Sequence, residues 1–397
     1  MAAADIVDSR SALSRAWNNK EARSVILQIL TVALLFGFFF YIIRNAVINL
    51  ETIGKGYSFT FLSAPASYDI NQTLIDYNSR DTHFRAAIVG ILNTLLVAVS
   101  GIILATIVGF VLGVLRLSKN WLMSRIVYCY IEIVRNVPVL LHILLIHGIV
   151  VNTLPVPRQS PSFFSESVFL SNRGLYVPSP LPEPLFWATF IAFVGGIVGT
   201  VLYKRHARKL QEETGRILPV FRVGLGLIIG LPFVVFLVTG MPMNWSYPEL
   251  KGFNFVGGVA MKPEFLALWL ALSLYTSAFI AEIVRAGILA VSYGQTEAAH
   301  ALGLRTNRTL QLVIIPQALR VIVPPLTSQY LNLTKNSSLA IAIGYMDIVA
   351  TIGGISLNQT GREMESMTIV LLIYLSFSLV ISLFMNWYNK RIKLVER

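Results

Sequence analysis

The chain has 397 residues, 55% of them hydrophobic and only 13% charged, with a formal net charge of +12. Soluble domains carry about 25% charged residues, so this balance excludes an ordinary soluble enzyme and describes a polytopic membrane protein. The positive excess does not imply nucleic acid: the basic residues gather at the ends of apolar runs and are not interleaved with aromatics on one polar domain.

The N-terminus starts basic and polar (Arg10, Arg15, Lys20, Arg23) and enters the apolar run Val25–Ile43. No small-residue cleavage site follows, which predicts a retained first span rather than a removed signal peptide. A span needs about 20 mostly apolar residues. The further candidates are Ala87–Leu115, Ile126–Val151, Leu185–Tyr203, Val223–Thr239, Phe265–Leu289, Gln317–Leu333 and Thr368–Tyr388. The single cysteine, Cys129, lies inside one of these runs, where a small buried hydrophobe is expected, and excludes disulfide frameworks and cysteine-based metal sites.

The charges predict the orientation. One set of loops carries the N-terminal cluster, then Arg116, Lys119 and Arg125, then Lys204, Arg205, Arg208, Lys209, Arg216 and Arg222. The same side takes Arg305 and Arg308, and the tail adds Lys390, Arg391, Lys393 and Arg397. The opposite loops are longer and hold only scattered positives such as Lys55, Arg80, Arg158, Arg173, Lys251 and Lys262. Short loops rich in Lys and Arg stay inside, so both termini are expected in the cytoplasm.

Two segments stand apart from the spans. Residues 49–86, with Tyr57, Phe59, Phe61, Tyr68 and Pro65, form an outer loop long enough to fold locally. Residues 152–264 open with prolines at 155, 157, 161, 178, 180, 182 and 184, which forbid a helix there. Two spans follow, joined by the basic loop 204–222. Gly195, Gly196 and Gly199 in one and Gly224, Gly226 and Gly230 in the other are expected to let the pair pack closely in lipid. The block reads as a helical hairpin added to a smaller core.

The most informative stretch is 292–316, polar in the middle and flanked by apolar runs. Ser292 with Gln295 reads as a capping box, and Ala298 and Ala299 make a smooth small-residue face. Gly303 suits the left-handed position that stops a helix, and Pro316 opens the next one. Such a stub has no apolar stripe large enough for a core helix, so it is expected to rest on something else.

A weak internal echo joins Glu132 and Arg135 to Glu282 and Arg285; at i,i+3 each pair shares a helix face and can form an ion pair. An ionisable residue inside a span costs about 2.5–3.5 kcal/mol at the centre, so pairing or an aqueous path is expected. Thr334–Ser338 interrupts an apolar run with Lys335, Asn336, Ser337 and Ser338. Polar or unwound backbone at membrane depth survives only when buried in protein or lining a cavity, which makes this run a candidate substrate pathway, with a simple outer loop as the alternative. No P-loop, Gly-x-Ser-x-Gly or His-Glu-x-x-His occurs, and His142 and His147 are too far apart in register to ligate one metal; no catalytic or metal site is expected.

Residues 297–316 resemble the EAA loop of ABC-importer permeases, Glu-Ala-Ala-x3-Gly-x9-Ile-x-Leu-Pro, with Val313 and Ile315 in place of the usual Ile and Leu. Two larger blocks resemble the polar-amino-acid branch of that family. The first runs from Gly90-Ile91-Leu92-Asn93-Thr94-Leu95 through Gly109, Gly113, Arg116 and Ser118 to Tyr130, Glu132, Arg135 and Pro138. The second runs from Tyr275-Thr276-Ser277 and Glu282 through the EAA loop to Pro324-Pro325-Leu326-Thr327, Lys335-Asn336-Ser337-Ser338 and Ile343-Gly344. Ordinary members have five spans; the added first span and the 152–264 block are similar to the large permease subunits of general L-amino-acid importers.

The resemblance implies an all-α polytopic fold of the type I (MetI-like) importer class with about eight spans. It divides the chain into a leading segment, span and outer loop (1–86), a first core part (87–151), the Pro-rich loop and hairpin (152–264) and a second core part (265–397). It also implies a bacterial inner-membrane location, a second permease subunit, an ABC ATPase dimer that binds ATP and Mg, and a periplasmic amino-acid-binding protein. This chain would hold no cofactor. Glu297, Ala298, Ala299, Gly303 and Arg305 would couple to the ATPase. Lys335, Asn336, Ser337 and Ser338, with Glu282, Arg285, Glu132 and Arg135, would line the substrate path. Related permeases often carry Lys-Asp where this chain has Lys335-Asn336, so a range including neutral and acidic amino acids is expected. The rival reading, an ion-coupled secondary transporter, calls for acidic residues in mid-span, and Glu132 and Glu282 sit near the edges. A structural membrane scaffold, the third reading, does not account for the EAA stub.

Overall fold

The computed structural model describes residues 20–392 apart from 53, 55 and 165. Arg10, Arg15, Lys55, Lys393 and Arg397, whose charges entered the orientation argument, lie outside the described residues.

Helix α1 (Lys20–Thr52) has no buried residue and, at 1.5 Å per residue, is about 50 Å long, ample for a bilayer core of about 30 Å. Helix α2 (His83–Leu115) starts where the Thr82 side chain accepts the Arg85 N–H. The expected span Ile126–Val151 is two helices, α3 (Trp121–Asn136) and α4 (Val139–Thr153), bent by 108°, and Cys129 on α3 is exposed rather than buried. Pro138 is the cause. It donates no backbone hydrogen bond and holds Val137 in extended geometry (φ −104°, ψ 133°), which the surrounding apolar composition masks.

Helix α5 (Phe186–Thr214) carries Lys204, Arg205, Arg208 and Lys209 on its own last turns, so the expected basic loop 204–222 shrinks to 215–219. The Arg208–Glu212 pair at 3.0 Å supports that extension, and Gly215 (φ +71°) stops it. Helix α6 (Val220–Val238) follows, then α7 (Pro263–Leu289), α8 (Tyr293–Ala301), α9 (Thr306–Ile343) and α10 (Glu363–Ile392). Pro316 stands in the first turn of the α-helical stretch Ile315–Asn336, as expected, but that stretch continues a helix that already begins at Thr306. A π turn, Leu310–Ile314, ends two residues before Pro316, and the same arrangement, Gly226–Gly230, precedes Pro232 in α6. Each wider turn lies where the missing proline N–H breaks the regular ladder. Among the described residues seven helices are long and apolar enough to cross a membrane, or eight when α3 and α4 count as one bent span.

The Pro-rich segments contain short strands. β1 (Ser162–Phe163), β2 (Val168–Ser171), β3 (Gly174–Val177) and β8 (Val259–Met261) form one antiparallel sheet in that order. β4 (Ser179–Pro182) pairs with β5 (Met243–Ser246), and β6 (Glu249–Lys251) with β7 (Asn254–Val256). The β4–β5 ladder joins the chain just before α5 to the chain just after α6, so it straps the base of the helical hairpin. Phe169 stacks on Phe255 at 4.5 Å, and the buried Tyr176 donates to Asn254 Oδ1 at 2.9 Å. Within the hairpin Gly196 and Gly224 bring α5 and α6 together most closely, and Gly199 lies at ordinary contact distance from Leu227. A Cβ on Gly196 would lie 2.0 Å from the Leu227 carbonyl oxygen, whereas Gly195, Gly226 and Gly230 face open space.

The core is assembled around α2 and α7, which run parallel. A Cβ at Gly109 would meet Ile280 Cβ at 2.6 Å, and one at Gly113 would meet Val284 Cβ at 2.7 Å. In lipid there is no hydrophobic drive between helices, so this close approach and its dispersion contacts hold the pair. Helices α4 and α9 pack on α7, and α10 packs on α9. The segment 56–82 folds locally, as expected from its length: Ala66 donates to the Asp81 carbonyl, and Tyr68 reaches the Ser356 hydroxyl at 3.1 Å.

Candidate coupling and translocation sites

Ser292 stands at the N-cap of α8, but its hydroxyl makes no capping bond; only its carbonyl is engaged, accepting the Gln295 N–H at 3.0 Å. The expected capping box is absent because the Gln295 side chain is turned to α9, where its Oε1 accepts from Gln317 Nε2 at 3.2 Å. The stop signal is formed in full. Leu304 donates to the Ala299 carbonyl, Gly303 donates to the His300 carbonyl, and Gly303 has φ +78°. This is the paired 6→1 and 5→2 bonding of a Schellman end.

Ala299 is the single buried residue of α8. Glu297 and Ala298 are exposed, with Tyr293 at 73% and Leu302 at 82%. A helix of nine residues is too short to be stable alone; it is held by its contacts with α9 and presents a free face flanked by two large side chains. Arg305 is exposed, and its carbonyl starts the next helix by accepting the Arg308 and Thr309 N–H groups.

A charged cluster sits at the same end of the bundle. Glu282 on α7 pairs with Arg116, the residue that ends α2, and with Arg285 at 3.7 Å. Arg116 also lies over the Tyr128 ring at 4.9 Å. The matching pair in α3 does not form. Glu132 accepts from the Asn136 amide, and Arg135 lies over the Phe279 ring at 5.3 Å. Arg116, at the α2–α3 turn, takes the partner role for Glu282 that the local i,i+3 spacing does not reveal.

Lys335–Ser338 is neither an unwound segment nor a loop. Asn336 ends the α-helical part of α9, and Ser337 starts a 3-10 turn through Ile343. Lys335 is exposed and Asn336 half-buried. The two serines are occupied locally: Ser337 Oγ donates to the Thr334 carbonyl and Ser338 Oγ to the Lys335 carbonyl, each at 2.7 Å. Leu333 packs against Gly101. Fifteen residues of α2 separate Gly101 from Arg116, about 22 Å at 1.5 Å per residue. The structure thus brings Glu282, Arg285 and Arg116 together and leaves Lys335–Ser338 at a separate level.

Sequence reasoning missed the buried polar network beside that run. Asp347, fully buried, accepts from the Ala350 N–H at 2.9 Å and from the Tyr374 hydroxyl at 3.1 Å. Tyr374 in turn lies 3.3 Å from the Ser337 hydroxyl. Asn93 on α2 donates to the Gln72 and Met346 carbonyls, and Tyr345 donates to the Asn93 carbonyl. Gly90 is tight here, since a Cβ would lie 2.3 Å from Thr351 Oγ1. A lone acid in an otherwise apolar stretch was the available signal.

Residues 213–394 match the family model described as a binding-protein-dependent transport system inner membrane component. The chain is 47% identical to the general L-amino acid transport system permease protein AapQ of Rhizobium johnstonii, over 99% of each chain. It is 50% identical to the putative amino-acid ABC transporter permease protein YhdX of Escherichia coli, over 97% of this chain and 98% of that one. The chain belongs to the amino-acid ABC transporter permeases. The glutamate/glutamine/aspartate/asparagine transport system permease protein BztB of Rhodobacter capsulatus is 49% identical over 94% of this chain and 95% of its own length. Within this permease family residues 292–316 are the EAA loop, with α8 as its first helix, and the ion-coupled and scaffold readings fall away. The fold is the helical permease fold of that family, with the short strands outside the helices.

Proposed function

We propose that the chain is a translocating permease subunit for L-amino acids in a bacterial inner membrane, with both termini cytoplasmic. A second permease subunit, an ABC ATPase dimer that holds the ATP and Mg, and a periplasmic amino-acid-binding protein complete the importer. The observation that carries the coupling part is the α8 stub: a helix end fixed by Gly303, one buried alanine, and a free face bounded by Tyr293 and Leu302. Closure of the ATPase dimer would push this stub, and the spans would rock around the path between inward- and outward-open states.

Glu297, Ala298, Ala299, Gly303 and Arg305 form the coupling set. Asn336, without a net charge, and Lys335 favour a range that includes neutral and acidic amino acids. The relatives named for general L-amino acids and for glutamate, glutamine, aspartate and asparagine support that range.

The test is copurification of the full chain with its neighbours, mass spectrometry of the assembly, and uptake of radiolabelled amino acids into vesicles. Uptake should require internal ATP and the binding protein. Uptake driven by a proton or sodium gradient with no ATP would overturn the proposal.

A further inference from the structure

The strands added between α4 and α7 set a turn over the end of the core opposite α8. Ser171 of β2 registers with Gly174 of β3, so Asn172 and Arg173 form the hairpin tip. Gly174 (φ +119°) sits directly on β8; a Cβ there would lie 2.1 Å from the Met261 carbonyl oxygen and 3.2 Å from Lys262 Cα. No side chain fits at position 174 itself, where the backbone of the tip touches β8. The Asn172 N–H is anchored on the Pro155 carbonyl and the Lys262 N–H on Gln72 Oε1, so both edges are fixed.

Between them lies a polar cavity of about 470 Å³, lined among others by Asn172, Arg173, Lys262, Glu264, His147 of α4 and Ile343 at the end of α9. That volume is in the range of small-molecule sites, about 300–1,000 Å³. Its charges have no internal use: among the described residues no ion pair neutralises Arg173, Lys262 or Glu264. Asn172 Oδ1 is buried with no donor on it, and a buried acceptor left without a partner is costly. Two cations and one carboxylate around one small cavity match the two ends of a zwitterion. A guanidinium and an ammonium bind a carboxylate, while a carboxylate accepts from an ammonium group.

We propose that this cavity is a receiving site for a free L-α-amino acid. The carboxylate rests on Arg173 and Lys262, and the ammonium on Glu264. The proposal rests on the permease reading and deepens it. The strands that pack onto the helical core supply half of an antechamber, and Ile343 connects it to the turn that follows Lys335–Ser338. Capture there keeps an amino acid released above the core from diffusing away before the path opens.

The test uses the complete importer in proteoliposomes, with uptake of L-glutamine and L-glutamate measured at increasing binding-protein concentration. Variants are Arg173→Gln, Lys262→Gln and Glu264→Gln. Arg158→Gln, an exposed cation of the same outer block beside the Phe253 ring, is the control. Loss of one charge-assisted contact should lower kcat/KM about tenfold or more. For Arg173→Gln and Lys262→Gln the loss should appear for glutamine and glutamate alike, since both carry the α-carboxylate, and persist at saturating binding protein, while Arg158→Gln should match wild type. Full recovery with excess binding protein would assign the cations to docking of that protein and overturn the receiving site, as would variants that match wild type. If the wild-type importer itself takes up no amino acid, it is the permease reading that fails.

Discussion

Replacing Gly303 by residues of graded tolerance for positive φ isolates the mechanical role of the α8 end. The space around it is open, with no atom within 4 Å of a built Cβ, so a side chain there meets no clash and the cost is purely one of backbone conformation. At φ +78° an ordinary L residue is disfavoured by about 1–2 kcal/mol, which lowers the population of the stopped geometry roughly 5–30-fold. Asn, which visits this region more readily, should cost less, and β-branched Val more. The expected order of ATP-driven uptake is Gly, then Gly303→Asn, Gly303→Ala and Gly303→Val, at equal amounts of inserted protein by immunoblot. Gly303→Asp adds a charge to the docking end and should abolish uptake while insertion is retained; its difference from Gly303→Asn separates charge from backbone. A Val variant that transports like wild type would refute the need for positive φ, and a fully active Asp variant would refute docking at this end.

Glu282→Gln leaves Arg116 without its carboxylate. Breaking a buried pair costs about 3–5 kcal/mol, and with the two side chains 12% and 23% exposed the loss should be nearer 2 kcal/mol, read as a lower thermal midpoint of the detergent-solubilised chain. The double variant Arg116→Gln with Glu282→Gln should be less damaged than the sum of the singles; simple additivity would refute the pair. Reporter fusions after residue 22 and within 204–216 should report cytoplasm and those near 70, 165 and 250 the outer side; a periplasmic result at 204–216 would remove the hairpin from the topology. Asn336→Asp should reduce glutamate and aspartate uptake far more than arginine uptake, because like charges in a poorly hydrated path repel strongly; equal losses for all substrates would leave residue 336 a structural role only.

The elements legible in the sequence were those whose cause is local. Length and apolarity placed the spans, and the need for positive φ identified Gly303. What escaped depends on distant partners. The bend at Val137–Pro138 was written in the sequence, but the total apolar length from Ile126 to Val151 outweighed both the proline and the polar Glu132, Arg135 and Asn136 before it. The strands pair residues far apart, Pro182 with Met243 for one, so prolines alone could exclude helix without revealing a ladder. Ser292 and Gln295 have cap spacing, yet Gln317 from α9 captures the glutamine. In the same way Arg116 takes Glu282 and the Tyr374 hydroxyl reaches Asp347, partners that share no local motif with them.

The π turns before Pro232 and Pro316 have a consequence for angular phase. Each accommodates one more residue than a regular turn, and one residue corresponds to about 100° of rotation in an α-helix. Everything in α9 after Ile314 is therefore set about 100° out of step with the ridge that would continue from Thr306. The buried face of Ala318, Ile322 and Leu326 depends on that offset to meet α7. The two ends of α9, one beside the stub and one beside Asp347, thus follow different angular registers, so a substitution pattern read as one continuous heptad across this helix would assign the residues on one side of the π turn to the wrong face.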